Sequence, residues 1–353
     1  MGKLAVYKYL HLMFLVLQII LTIFTITALF GGDVSPIGHT ARALLVYALP
    51  VLIAMNVFMI FYWIVRRKWV LMLIPIITIA CCIPYIGTLI QPRSSNEQEA
   101  SAKPGLTVAS YNVAMFGRET TGFKAQDILA EMRRRKVDVL CMQEYNETSG
   151  DKQNSELYRE YFPYMQVGRN DMVIFSRYPI TGSKTMLFDY TNNSAMWADV
   201  NVKGLGVLRV FNVHLQTTGI NRTMHKASKL EATNMQVSNE RLIQALFGNY
   251  ALGMMLRASQ ANIVAQEQRA SDKPCIVCGD FNDVPYSYVY NTMLGNMVDG
   301  FKECGFKWMR TFRGKKPVRI DYIFHDEALK GMTYYSPELS YSDHYPVFMK
   351  FAF

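Results

Sequence analysis

The sequence predicts an α+β protein: two packed β-sheets with helices on their outer faces, preceded by three transmembrane helices. Strand-like runs alternate with helical stretches from residue 105 to 353, a pattern that packs as sheet on sheet with helices outside. Three long apolar runs open the chain. Polar side chains recur at one topological place, the end of a β-run, where α/β proteins put their chemistry.

The apolar runs span residues 9–30, 43–65 and 69–90, and none contains Asp, Glu, Lys or Arg. Each is near the ~20 residues a helix needs to cross a bilayer. The first is longer than the apolar part of a cleaved leader, and the two behind it would hold the chain in the membrane in any case. Pro75 and Pro84 read as kinks, which membrane helices tolerate. The absence of intramembrane charge removes support for a transport role. Lys3 and Lys8 precede the first run, and Arg66, Arg67 and Lys68 separate the second from the third. The positive-inside rule then puts the N-terminus in the cytoplasm, and three crossings put the rest of the chain outside. The expected organisation is a membrane anchor at 1–90, a linker at 91–104 rich in Ser, Glu, Gln and Pro, and a catalytic domain at 105–353.

Within that domain, LTVASYNVAMF, VDVLCMQEY, DMVIFS, AMWADVNV, VLRVFNVHL, CIVCGDF, RIDYIFH and VFMKFAF read as strands by alternation and β-branched content. Residues 124–136 read as a helix with Ile128, Leu129 and Met132 on one face. Residues 223–270 are helical in composition, with breaks expected near Gly248 and Gly253. The six cysteines lack zinc spacing, and Cys275 and Cys278 point to opposite faces of a strand; all read as small apolar residues. The formal net charge of +9 favours anionic partners.

Asp280 and Asn282 follow the apolar run that stops at Gly279. Two apart on extended backbone, they point to one side, and a carboxylate with an amide suits an activated water or a metal-bound phosphate oxygen. Asn112, Glu144 and His214 each end another run, Asp321 lies in a fourth, and Asp343 and His344 precede the last. Magnesium takes oxygen ligands and few carboxylates, which makes Glu144 the leading ligand candidate, with manganese able to substitute. The segment 306–319 interleaves Arg310 and Arg313 with Trp308 and Phe312 ahead of Asp321. Such a mixture suits a phosphate-bearing substrate or an anionic membrane surface.

The order Asn112, Gln143-Glu144, His214-Leu215, GDFN at 279–282, RIDYIF at 319–324 and Ser342-Asp343-His344 resembles the endonuclease/exonuclease/phosphatase superfamily. That group includes deoxyribonucleases, abasic-site endonucleases, neutral sphingomyelinases and inositol polyphosphate phosphatases. The resemblance covers about residues 105–353 and implies a four-layer αββα sandwich. It also implies that Asn112 and Asp343 join Glu144 around a metal, that Asp321 pairs with His344, and that His214 contacts a phosphate oxygen or protonates the leaving group. Asp280 and His344 both stand as candidate general bases. The expected protein is a membrane-anchored, magnesium-dependent phosphoesterase acting on phosphodiesters of nucleic acid or a lipid headgroup, without a protein partner. A phosphomonoesterase and a silent scaffold binding anionic partners are the alternatives.

Overall fold

The computed structural model describes residues 3–92, 103–117, 123–145, 151–169, 171–218, 239–314 and 318–353. Its strands are β1 (Ile90–Gln91), β2 (Gly105–Asn112), β3 (Val139–Gln143), β4 (Tyr164–Val167), β5 (Val173–Ser176), β6 (Ile180–Leu187) and β7 (Ser194–Val202). They continue with β8 (Gly206–His214), β9 (Cys275–Asp280), β10 (Val298–Asp299), β11 (Lys307–Trp308), β12 (Asp321–His325), β13 (Gly331–Tyr335) and β14 (Val347–Ala352). Two six-stranded sheets result, ordered β10-β12-β9-β8-β7-β6 and β13-β14-β2-β3-β5-β4, with a separate ribbon of β1 and β11. Both large sheets are mixed: β8 runs parallel to β9 and β2 to β3, and the remaining pairs are antiparallel.

Side-chain alternation explains the layering. On β2 and β3, Val108, Val139 and Cys141 face the other sheet and meet Met196, Val210, Ile276, Cys278 and Ile323 in one core. Their neighbours Ala109, Tyr111, Leu140 and Met142 turn the other way. They pack on Ile128, Leu129 and Met132 of helix Phe123–Arg134 and on Tyr158 of helix Asp151–Arg159. Helix Asn239–Arg269 covers the outer face of the first sheet. Its Glu267 accepts from Trp197 Nε1 at 3.0 Å and from Lys184 Nζ at 2.8 Å. The order is helix, sheet, sheet, helix, the predicted four layers.

The sequence reading missed β4, β6, β10 and β13, the edge strands of the two large sheets, and the two ribbon strands β1 and β11. β6 exposes much of its length, which leaves little apolar alternation to read. The breaks expected at Gly248 and Gly253 do not occur: one helix runs through both. A Cβ at Gly253 would come within 3.1 Å of Thr217 O, so this glycine admits a neighbouring loop instead of ending the helix. Residues 219–238 of that stretch, and most of the expected linker, lie outside the described residues. All six cysteines are free thiols.

The chain divides into two units, Met1–Thr88 with Pro285–Asn291, and Leu89–Val284 with Thr292–Phe353. In the first, the spans Tyr7–Asp33 and Thr40–Val65 are long and apolar enough to cross a membrane. The third expected span is corrected to a shorter helix, Trp69–Cys81. Pro75 sits inside it, but Pro84 cannot continue it, because its ring would meet the carbonyl of residue 80. Thirteen residues give about 20 Å, against a hydrocarbon thickness of about 30 Å. The interior of this unit combines an apolar cluster of Leu21, Met59 and Trp63 with hydrogen-bonded polar side chains. Gln18, Thr25, Asn56 and Thr78 are buried. Gln18 Nε2 donates to Asn56 Oδ1 (3.2 Å), Asn56 Nδ2 to Thr25 Oγ1 (2.9 Å), and Thr22 and Thr78 share a hydrogen bond (3.1 Å). Leu12, Val16, Ile23, Phe58, Phe61 and Ile77 face outward.

Ile323 is fully buried between the sheets. Ile323→Ala should destabilise the second unit by about 2–5 kcal/mol, read as a lower denaturant midpoint at unchanged slope.

Candidate active site

Three neighbouring strands of the first sheet end level with one another. His214 of β8 lies opposite Asp280 of β9, and Asp280 lies opposite Asp321 of β12. Gly279 permits the close approach of β8 to β9. Its φ is 143°, and a Cβ there would fall 1.9 Å from Val213 O. Beyond Asp280 the chain turns through Asn282 at a φ of 52°. The Asn282 N–H donates to Asp280 Oδ1 at 2.8 Å, closing an Asx turn.

The second sheet supplies the facing wall. β2 ends at Asn112, and β3 ends just before Glu144, which has a φ of 53°. Asn112 Nδ2 donates to Glu144 Oε1 and to Asp280 Oδ2, both at 3.1 Å, and so ties the two sheets together. One layer down, Gln143 Nε2 donates to Asn212 Oδ1 at 2.6 Å and repeats the tie with neutral groups. Ala114, Met115 and Phe116 follow at φ 46°, 51° and 52°. Left-handed residues cost roughly 1–2 kcal/mol each and persist where their surroundings over-determine them. Here Asn112 Oδ1 accepts from the Ala114 N–H at 3.0 Å.

The last turn brings His344. Ser342 Oγ donates to Asn112 O at 2.7 Å and accepts from the His344 N–H at 3.1 Å. Phe312 forms an isolated bridge with His344, and its ring meets the imidazole edge-on at 5.1 Å. His344 Nδ1 lies 3.0 Å from Asp321 Oδ2, and its Nε2 lies 3.7 Å from Asp280 Oδ2.

These distances set the charges. Burial alone would lower the His344 pKa, but Asp321 and Asp280 more than reverse that and hold it at about 10. Burial pushes the Asp280 carboxyl up to about 6, against the opposing pull of His344. Burial lowers His214, whose Nε2 has no hydrogen-bond partner among the described residues. That nitrogen lies 3.8 Å from Glu144 Oε1 and 3.9 Å from Asp280 Oδ2. An ionised acid, a cationic imidazole and a neutral imidazole thus converge above the level strand ends.

Asn112, Glu144, His214, Asp280, Asn282, Asp321 and His344 all come together. Asp343 lines an adjoining cavity of about 630 Å³ with Lys124, Phe312, Arg313 and Tyr341. Arg313 donates to Ser340 O and Ser342 O there, at 3.2 and 2.9 Å. Two placements correct the expectation. Arg310 does not line this cavity, because Glu338 takes its guanidinium at 2.7 Å. The Asn282 amide does not reach outward: its Nδ2 donates to Leu215 O and Asp280 Oδ2, so it positions the carboxylate.

Sequence reasoning missed the residues that hold this geometry from behind. Fully buried Arg257 donates from Nε to Asp283 Oδ2 at 3.2 Å and from Nη1 to Gln216 O at 3.0 Å. Gln260 Oε1 accepts from the Gln216 N–H at 2.8 Å. The available signal was a pair of polar residues three apart on a helix face that otherwise buries Ala258, Ala261 and Val264.

The donor chemistry fits a hard divalent cation, with two carboxylates, Glu144 and Asp280, converging on one amide. Asp280, Asp321 and His344 also bring potential ligand atoms within 4.8 Å of one another. Asp321 is already engaged by His344 Nδ1, which makes that trio a proton-handling pair beside a carboxylate.

Residues 109–344 match the model of a family described as the Endonuclease/Exonuclease/phosphatase family, and residues 11–89 match a domain of unknown function. Among solved structures, an endonuclease/exonuclease/phosphatase from Beutenbergia cavernae is 18% identical with a TM-score of 0.51, covering 71% of this chain and 72% of its own. The human Nocturnin catalytic domain with bound sulfate is 18% identical with a TM-score of 0.51, covering 71% and 95%. An endonuclease/exonuclease/phosphatase from Bacteroides vulgatus is 18% identical with a TM-score of 0.50, covering 70% and 99%. At this identity the likeness establishes the fold. No match is found among curated proteins.

Asp321→Asn removes the leading charge that raises His344. The imidazole pKa, followed by NMR on metal-free protein, should fall from about 10 towards the ordinary 6.5; an unchanged titration would assign the elevation elsewhere.

Proposed function

Because the chain belongs to the endonuclease/exonuclease/phosphatase family, we propose that it is a membrane-anchored, divalent-metal-dependent hydrolase of phosphodiesters that uses an activated water. The observation that carries this reading is the line Asp321–His344–Asp280, with the Nε2 of His214 facing the same carboxylate.

Asp280 is ionised above about pH 6 and is the general base that takes the proton of the attacking water. Asn282 holds that carboxylate in place by two hydrogen bonds. His344 stays cationic and donates to a phosphoryl oxygen, where negative charge grows in the transition state. Asp321 fixes its tautomer. His214 donates a hydrogen bond to a second phosphate oxygen. Glu144, beside the Asn112 amide, would hold magnesium or manganese, which would supply Lewis-acid stabilisation of the phosphoryl charge; Asp343 lines the adjoining cavity and stands outside that pair. Arg313 offers a cation to the substrate at the rim.

The anchor reading rests on the apolar side chains that the first unit turns outward, Leu12, Val16, Ile23, Phe58, Phe61 and Ile77 among them. Only 22% of either long span is buried, the reverse of a soluble core helix. We take the N-terminus as cytoplasmic from Lys3, Lys8 and the Arg66–Lys68 cluster. The catalytic domain is then extracytoplasmic provided the short third helix also crosses. The Thr22–Thr78 hydrogen bond supports its membership of the bundle.

Glu144→Ala and His344→Ala should each lower magnesium-dependent kcat/KM on a soluble phosphodiester by about 10²–10⁴, and a chelator should remove activity from the unaltered protein. Unchanged turnover in either variant would reject the assignment. Protease added to sealed right-side-out vesicles should digest the catalytic domain; protection would put it on the cytoplasmic side.

A further inference from the structure

The ribbon of β1 and β11 stands apart from both large sheets. Ile90 lies opposite Trp308, and Gln91 opposite Lys307. Its apolar side chains face solvent: Ile90 is 49% exposed, Trp308 50% and the adjoining Phe306 39%. Lys307 Nζ lies over the Phe306 ring, 4.9 Å from its centroid. So short a ribbon buries too little to explain open aromatic groups by its own stability. Tryptophan, phenylalanine and lysine together suit the boundary between bilayer and water, where rings sit at headgroup level and ammonium groups reach outward.

Two features of the chain identify the occupant. Ile90 closes the third apolar run and directly follows Leu89, the first residue of the catalytic unit. Trp308 pairs directly with Ile90, so the ribbon forms at the point where the chain enters this unit from the apolar run. The same strand then leads to the active site. From Trp308 the chain reaches Phe312, the residue that bridges His344, in at most about 14 Å. Arg313, exposed and next in sequence, lines the cavity beside Asp343.

We propose that this ribbon lies in the bilayer surface and that the substrate is a phosphodiester presented there, the headgroup linkage of a phospholipid. The inference deepens the anchored-hydrolase reading and rests on it. Water adds to phosphorus, one P–O ester bond breaks, and the proton taken from water passes to the leaving alcohol oxygen, giving a phosphomonoester and an alcohol. Exposed cations near the cavity suit anionic headgroups.

The test uses the full chain reconstituted in vesicles of phosphatidylcholine and phosphatidylglycerol, with magnesium or manganese. Lipid hydrolysis is compared with cleavage of single-stranded DNA and of soluble bis(p-nitrophenyl) phosphate. A Phe306→Ser, Trp308→Ser double variant should lose lipid turnover by about tenfold or more while hydrolysis of the soluble ester stays within about twofold. Equal loss on both, or cleavage of DNA without lipid, overturns the surface-substrate inference and leaves the hydrolase reading intact. No hydrolysis of the soluble ester overturns the hydrolase reading, and failure to float with vesicles overturns the anchor. A second arm needs no turnover. Brominated acyl chains should quench tryptophan emission, and part of that quenching should vanish in Trp308→Phe; an undiminished effect removes the ribbon from the bilayer.

Discussion

Strand register is the constraint on which the rest of this molecule depends. His214, Asp280 and Asp321 are direct partners across β8, β9 and β12, so backbone hydrogen bonds alone bring two carboxylates and an imidazole to one height. A slip of one residue would turn each side chain to the opposite face. The buried apolar side of every strand opposes that slip, which couples the stability of the core to the alignment of the reacting groups. The second sheet is locked to the same height by Asn112, whose amide bridges Glu144 and Asp280.

A site built this way gathers charge in a place poor in water. Removing water from Asp280 and His344 costs free energy, and their mutual attraction together with Asp321 offsets it. The same confinement gives each group its protonation state. His344 stays charged beside two carboxylates, whereas His214 faces the pocket neutral. The turns that deliver these groups hold Glu144, Asn282 and Ala114 to Phe116 in left-handed backbone. Ser342, Arg257 and Gln260 fasten those turns from behind. Local strain at the chemistry is thus carried by ordinary hydrogen bonds one layer away.

Much of this was legible in the sequence, because alternation marks strands and polar residues at strand ends mark a sheet edge. Asp280, His214 and Asp321 stood out for that reason. What stayed hidden depends on contacts between distant segments. Arg310 looked like Arg313 until Glu338 was seen to claim it. Gly253 looked like a helix breaker, but its role is to admit Thr217. Arg257 looked like any charged residue of a long helix, and its burial comes from a partner 26 positions away. Pro84 passed for a tolerable kink, and the helix stops short of it instead. Composition reports what a segment prefers; it does not report which neighbour will overrule the preference.

Gly279 carries a consequence for how such proteins diverge. Most substitutions in a buried strand trade stability against packing and leave the geometry of the reacting groups alone. Here the absent methyl group is the spacing itself, since any side chain would press on the carbonyl of Val213 and drive the imidazole-bearing strand away from the acid-bearing one. A descendant that lost this glycine would keep its layers while the distance between His214 and Asp280 lengthened. Fold and site geometry would then part company at a single codon.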